Sequence, residues 1–270
     1  MTRALGSVFA AFRRVVPDCI TQSQAIAFNM FFAFFPMMLV VLGVVATSSR
    51  LRGGVLDIVR QLGLVFPPGA QAALEQFLTR SGEDAWGWIS LGSVGTLLAG
   101  TQMMRLMIEG FRMVYGDRQR QGFRSRNSRS LLLLSATIAP WFLAASLIVF
   151  GSELRDWLIL RSEMPLVVRA LWSALIVGAE LILAMSVLAF VYRVGRPGTG
   201  SWKAVMPGAA LATLLWWLVS SAFGYYMRRM PYAAAYGGLA AAIGLMLWMQ
   251  LTAVVVLLGA AYNAQRAGSG

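Results

Sequence analysis

Six apolar and almost uncharged runs, each long enough to cross a lipid bilayer, dominate this chain of 270 residues. The hydrocarbon core of a bilayer is about 30 Å thick, and an α-helix of about 20 residues crosses it while satisfying its own backbone hydrogen bonds. The sequence therefore predicts an all-α integral membrane protein with six transmembrane helices in a single membrane domain, 1–270. The predicted spans are residues 24–46, 85–107, 131–150, 170–192, 204–226 and 236–262.

The composition supports this class and excludes several kinds of enzyme. Hydrophobic residues make up 58% of the chain and charged residues 13%, far from the values of a soluble domain. The chain has no histidine, which removes Ser-His triads and almost every catalytic zinc site. Its one cysteine, Cys19, can form neither an internal disulfide nor a CxxC pair. We therefore predict a protein that is not an enzyme, with no catalytic residues, metal site or cofactor.

The net charge of +12 is distributed unevenly between alternate connecting segments. The N-terminus, the second loop, the fourth loop and the C-terminus together carry thirteen basic and two acidic residues, against nine and seven in the other loops. Lys and Arg are enriched in cytoplasmic loops, so both termini are predicted to be cytoplasmic. The membrane topology accounts for the net positive charge, so no nucleic-acid partner is expected.

Three segments outside the spans show helical periodicity. Residues 1–17 place apolar side chains on one face and arginines toward the other, which predicts an amphipathic helix on the inner leaflet. Residues 51–82 predict two short amphipathic helices on the outer side, separated by Pro67 and Pro68. This pair either rests on the outer leaflet or forms a lid or partly re-entrant hairpin over a cavity.

A small set of polar side chains lies within the spans or at their edges. A carboxylate near the bilayer centre costs roughly 2.5–3.5 kcal/mol on insertion scales, so Glu180 is the leading functional candidate. The full predicted intramembrane polar site is Glu180, Asn29, Gln102, Gln250, Arg105 and Glu109. The functional interpretation is a polar cavity. The alternatives are interhelical hydrogen bonds for the amides and a local Arg105–Glu109 pair at the inner interface.

The second loop is the densest run of basic residues. It is expected to contact anionic lipid head groups, with each basic group contributing on the order of 1 kcal/mol near the membrane surface. A surface that recruits an anionic substrate is the alternative. The residues concerned are Arg118, Arg120, Arg124, Arg126 and Arg129.

Several short motifs occur in an order that resembles the YihY/BrkB family of bacterial inner-membrane proteins, formerly labelled ribonuclease BN. The motif with the most matching positions is YGGLAA at 236–241, followed by Leu247-Trp248, LLGA at 257–260 and Asn263. Supporting motifs are AIAF at 25–28, FFP at 34–36, MVYG at 113–116, WKA at 202–204 and Pro207-Gly208. One departure is Ala261, where the family more often carries an acidic residue.

This resemblance implies a six-helix protein of the bacterial cytoplasmic membrane that acts as a transporter or exporter. Together with the polar site, it leads to the expectation of a transporter, exporter or lipid flippase for an amphipathic or anionic substrate, with membrane lipids as partners. The alternative is an envelope scaffold that binds lipid and transports nothing. A ribonuclease is rejected because histidine is absent and the clustered carboxylates fall in the predicted outer loops. Small residues at four-residue spacing serve either packing within one chain or a homo-oligomer.

Overall fold

Five long helices make up most of the described part of the protein. The computed structural model describes residues 2–48, 51–56, 76–78, 84–117, 128–137, 166–197, 201–229 and 238–268. Within these ranges all regular secondary structure is helical. The long helices are α1 (Thr2–Thr47), α2 (Ala85–Tyr115), α3 (Leu166–Gly195), α4 (Trp202–Arg229) and α5 (Gly238–Gly268).

Helix α1 is a single helix of 46 residues rather than a short interfacial helix followed by a span. The expected break after residue 17 is not found. Residues 18–23 contain no glycine or asparagine that could end the helix in a left-handed conformation. At 1.5 Å per residue α1 is about 69 Å long, so only part of it fits the hydrocarbon core. The part long and apolar enough to cross is Ile20–Thr47.

Four described helical segments are long and apolar enough to cross a membrane: Ile20–Thr47, Val177–Gly195, Trp202–Met227 and Leu239–Ala267. They correspond to the first, fourth, fifth and sixth predicted spans. Helix α2, at 31 residues, is long enough to cross, but its glycines, serines and tryptophans reduce its apolar character. Of the third predicted span, only residues 131–137 are described, and they are helical. The protein is thus a helical membrane protein with several apolar helices.

The end of α2 is fixed by a glycine in the left-handed conformation. Gly116 has a φ of 70°, which residues with a Cβ rarely adopt. The Gly116 N–H donates to Met113 O at 3.1 Å and the Asp117 N–H donates to Arg112 O at 3.0 Å. The second bond is the one that defines a Schellman motif. An ion pair of 3.2 Å between Arg112 Nε and Asp117 Oδ2 closes the same turn.

The described residues form two compact units, which are taken separately below. Unit 1 comprises Met1–Ser23, Met104–Val219 and Thr252–Gly270, and unit 2 comprises Gln24–Met103 and Ser220–Leu251. The single domain predicted for 1–270 remains a prediction.

In unit 2 the first two long helices approach closely. A Cβ on Gly92 of α2 would lie 2.7 Å from Pro36 O of α1, so a larger residue at this position would push the helices apart. Between α4 and α5, Trp248 Nε1 donates to Ser220 Oγ at 3.1 Å. The fully buried residues of this unit include Ile26, Ala27, Ala46, Leu78 and Ala85.

The predicted outer amphipathic helices also fall in unit 2, and the described parts of them, 51–56 and 76–78, are helical. Leu78 is fully buried, and the Phe77 ring lies 5.5 Å from the Trp88 ring. The proline break lies outside the described residues. The choice between a leaflet-bound pair and a lid therefore stays a prediction.

Candidate functional site

Unit 1 contains a buried junction where α2, α3, α4 and α5 meet. On one side of it, Phe111 of α2 stacks edge to face on Tyr192 of α3, with ring centroids 5.4 Å apart. The Tyr192 hydroxyl then donates to the Val256 carbonyl of α5 at 2.8 Å. Both rings are fully buried, so one aromatic side chain links three helices while satisfying its own polar atom.

The other side of the junction joins α4 to α5 through two glycines. A Cβ on Gly208 would collide with the Gly259 carbonyl, and a Cβ on Gly259 would collide with the Tyr192 hydroxyl. Only glycine at both positions allows the backbones this approach. Small residues at helix crossings serve this purpose in membrane proteins, where close packing replaces the hydrophobic effect as the force between helices.

Asn263 supplies hydrogen bonds to the first turns of α4, beside a proline. Pro207 has no N–H and its ring disturbs the normal helical pattern around it. The Gly208 N–H donates to Asn263 Oδ1 at 2.8 Å, and Asn263 Nδ2 donates to the Val205 carbonyl at 3.0 Å. The amide of Asn263 thus acts as both donor and acceptor, and it is buried. We call Phe111, Tyr192, Gly208, Gly259 and Asn263 the junction.

An arginine and a tyrosine pair lies one helical turn further along α2 and α3. Tyr115 follows Phe111 by four residues and Arg196 follows Tyr192 by four, so each lies next to a junction ring. Arg196 Cζ is 5.7 Å from the centroid of the Tyr115 ring, within the range of a cation–π interaction. We call these two residues the Arg–Tyr pair.

Two polar atoms of the Arg–Tyr pair are buried without a hydrogen-bond partner, namely Arg196 Nε and the Tyr115 hydroxyl. Burial raises the pKa of Tyr115, and the positive charge of Arg196 partly offsets that effect. The phenol is therefore a neutral hydroxyl at physiological pH and remains able to donate. The pair combines a guanidinium with a neutral hydroxyl, an arrangement suited to binding an anion.

Other cations lie close to this end of α3 in the sequence. Arg193 Cζ lies 4.6 Å over the ring of Trp202, the first residue of α4, and the neighbouring Lys203 is exposed. An arginine at the C-terminal end of a helix also interacts favourably with the helix dipole. The segment from α3 to α4 is therefore positively charged.

Three residues of the predicted intramembrane polar site belong to unit 1. Glu180 lies near the middle of α3 and is exposed, as is Glu109 on α2. Arg105 is half-buried, and its Nε is enclosed by the protein. Ala261, the position at which the family more often carries an acid, is fully buried in this unit.

The three predicted amides belong to unit 2. Asn29 is half-buried and donates through Nδ2 to the Ala25 carbonyl of its own helix at 2.9 Å. Gln102 is exposed and Gln250 is half-buried. The convergence of these amides with Glu180 on one cavity stays a prediction.

Of the predicted lipid-binding arginines, only Arg129 is among the described residues, and it is half-buried. Arg118, Arg120, Arg124 and Arg126 lie outside them. Within the described part of the chain, no group of three or more His, Cys, Asp or Glu residues could hold a metal ion.

Three residues of the junction belong to the sequence motifs, but the motifs do not indicate what these residues do. Gly208, Gly259 and Asn263 were recognised only by their order in the chain. Tyr192 is the last residue of the fourth predicted span, and Arg196 is one of the basic residues of the fourth loop. The available signal was the four-residue spacing that places Tyr192 and Arg196 on one face of α3.

Comparison with known proteins gives a consistent family assignment. The family model described as virulence factor BrkB matches residues 12–269. A ribonuclease-like protein of Bacillus subtilis (strain 168), YfkH, is 25% identical over 250 residues, which cover 90% of this chain and 88% of that protein.

Two membrane proteins of the UPF0761 group are also similar. One from Xanthomonas campestris pv. campestris is 26% identical over 263 residues, covering 96% of this chain and 60% of that protein. One from Xanthomonas axonopodis pv. citri is 26% identical over 251 residues, covering 92% and 58%. The chain thus spans about three fifths of the length of these two relatives. No solved structure matches it. Because the family model covers almost the whole chain, whose described part is helical with several apolar helices, the protein belongs to the virulence factor BrkB family of membrane proteins.

Proposed function

We propose that this protein is a transporter, exporter or lipid flippase that moves an amphipathic or anionic substrate across the bacterial cytoplasmic membrane. The observation that carries the proposal is the position of Glu180. It is an exposed carboxylate near the middle of the apolar helix α3, and the neighbouring Leu175 and Ile182 are also about two-thirds exposed. An ionisable group on such a surface is costly and marks substrate or ion pathways in membrane proteins.

The proposed topology has six spans with both termini in the cytoplasm. It is supported by the excess of basic residues in alternate loops and by the four apolar helices. In this topology α2 is the second span and the segment beginning at residue 128 leads into the third.

The proposed mechanism uses the exposed carboxylate of Glu180 as a polar contact on the surface of α3. The polar head of an amphipathic substrate passes along the protein surface while its apolar part stays in the hydrocarbon. Glu180 binds a cationic group of that head through its carboxylate. Glu109 of α2, which belongs to the same unit as Glu180, is also exposed and offers a further polar contact.

A second candidate is an envelope scaffold that transports nothing, and the density of the junction favours it. Four helices are held there by close glycine contacts and by satisfied buried hydrogen bonds. A scaffold has no need of the Glu180 carboxylate.

The test measures the flux of a fluorescent phospholipid in proteoliposomes that contain either the wild-type protein or the Glu180→Gln variant. The glutamine keeps the shape of the side chain and removes its charge. We expect the variant to insert and fold normally but to lose most of the flux.

Asp84→Asn is the matched control because Asp84 is also exposed and acidic but lies immediately before α2, outside the predicted span. It should leave flux unchanged. Equal flux in Glu180→Gln and the wild type would remove the assigned role of the carboxylate. Absence of flux in the wild type for zwitterionic and anionic lipids alike would favour the scaffold.

A further inference from the structure

We propose that the Arg–Tyr pair, Arg196 with Tyr115, is a binding site for a phosphate group, and that its natural source is the head group of an anionic phospholipid. The site differs from the predicted polar site around Glu180 and from the predicted lipid contacts in the second loop. Binding there would serve a transporter and a scaffold equally, so the inference goes beyond the proposed function and does not depend on transport.

The first line of evidence is unused hydrogen-bonding capacity. Arg196 Nε and the Tyr115 hydroxyl are buried, and neither has a hydrogen-bond partner. Nearly all buried polar groups in folded proteins are paired, and an unpaired one requires an explanation such as an absent ion or ligand. Arg196 Nε can only donate a hydrogen bond and the Tyr115 hydroxyl can also donate, so an acceptor is the partner that satisfies both atoms.

The second line of evidence is charge. Arg196 is half-buried and stacks on an aromatic ring rather than on a carboxylate. A guanidinium has a planar set of donors that matches the oxygens of phosphate, and the neutral phenol adds one more donor. A phosphate therefore satisfies the charge and the donors together, which a neutral ligand does not.

The third line of evidence is position, since both residues stand at helix ends. Tyr115 is the last residue of α2 and Arg196 directly follows α3. The nearby cations Arg193 and Lys203 raise the local positive potential. The positive-inside rule assigns these ends to the cytoplasmic interface, where the phosphates of anionic lipids are found.

The junction keeps the pair in place. A Cβ on Gly195 would lie 2.6 Å from the Phe111 ring, so the residue before Arg196 is pressed against α2. This contact and the stacking of Phe111 on Tyr192 hold the ends of α2 and α3 together. The two donors are thus positioned before the ligand arrives, which reduces the ordering cost of binding.

The first measurement is the rise in Tm of the purified full chain in detergent when phosphatidylglycerol is added. The second is the affinity of the protein for phosphatidylglycerol, measured by native mass spectrometry. Loss of one charge-assisted hydrogen bond corresponds to about tenfold in affinity. Arg196→Gln should therefore weaken phosphatidylglycerol binding about tenfold and abolish most of the lipid-dependent rise in Tm. Tyr115→Phe, which keeps the ring, should weaken it by about fivefold.

The matched control is Arg229→Gln. Arg229 also stacks on a tyrosine, with Cζ 4.7 Å from the centroid of the Tyr225 ring, but it is exposed and belongs to unit 2. This variant should bind phosphatidylglycerol like the wild type. Tyr115→Phe keeps the proposal testable if Arg196→Gln does not fold.

Inorganic phosphate distinguishes the two sources of the anion. If excess phosphate fails to displace the lipid, the head group is the ligand. If phosphate alone raises the Tm of the wild type but not of Arg196→Gln, the site takes free phosphate compounds. Unchanged binding of both probes by Arg196→Gln and Tyr115→Phe would overturn the proposal and leave the pair a packing contact.

Discussion

At the scale of single residues, one amide carries an unusual share of the contacts in unit 1. Asn263 bonds to a backbone donor and a backbone acceptor of a different helix, next to Pro207, which has no N–H to donate. Asn29 has the same functional group, yet its Nδ2 bonds to its own helix. Both asparagines lie in strongly apolar sequence. Loss of Asn263 removes hydrogen bonds between two helices, whereas loss of Asn29 removes a hydrogen bond within one helix.

We expect Asn263→Ala to lower the stability of the protein markedly. The substitution removes both buried hydrogen bonds that Asn263 of α5 makes to the α4 backbone, and each such bond contributes about 0.5–1.5 kcal/mol. The measurement is the Tm of the purified variant in detergent. Asn29→Ala is the control and should change the Tm little, because the Ala25 carbonyl already takes part in the helix. A similar Tm for both variants would contradict the bridging role.

At the scale of helices, the approach of α4 to α5 depends on Gly208 and Gly259. The motifs Pro207-Gly208 and LLGA at 257–260 are separated by about fifty residues of sequence, and the fold brings them into direct contact. The proline and the first glycine act together. Pro207 lacks an N–H near the start of α4, and Gly208 lets the α5 backbone reach it.

We expect Gly259→Ala to destabilise the protein because the added methyl group collides with the Tyr192 hydroxyl and the Ala212 side chain. Overpacking of this kind typically costs about 1–3 kcal/mol. Gly178→Ala in α3 is the matched control, since a Cβ there meets nothing within 4 Å. It should be neutral or stabilise the helix by up to about 1 kcal/mol, the difference in helix propensity. Thermal unfolding of both variants in the same detergent decides the point, and equal Tm values would show that the helices do not touch there.

The positions of the long helices could be predicted from the sequence, because a run of about 20 apolar residues has few other structures available in lipid. The partners of their polar side-chain atoms could not be predicted from the sequence. No local sequence pattern indicates that Asn263 bonds to Gly208 or that Arg196 stacks on Tyr115, because these contacts depend on how the helices cross. The continuity of α1 was also missed, because the change from an amphipathic to an apolar pattern suggested a break that the backbone does not make.

At the scale of the whole molecule, the six-span topology rests on loop charges and on the crossing of α2. This helix is not among the described segments that are long and apolar enough to cross a membrane. If α2 did not cross the membrane, the segments before and after it would face the same side. Side-specific labelling therefore tests the crossing of α2 directly.

The chain suits cysteine labelling because Cys19 is its only cysteine. In a Cys19→Ser background we expect a membrane-impermeant maleimide to label Asp84→Cys on intact cells. We expect Ser128→Cys and Lys203→Cys to react only after the membrane is permeabilised, because the excess of arginine in the second and fourth loops holds those segments inside. All three native residues are exposed, so the side of the membrane and not burial should control the reaction. Labelling of Asp84→Cys and Ser128→Cys from the same side would mean that α2 lies along the membrane or within the protein. The number of spans and the assignment of Arg196 to the cytoplasmic interface would then both be wrong.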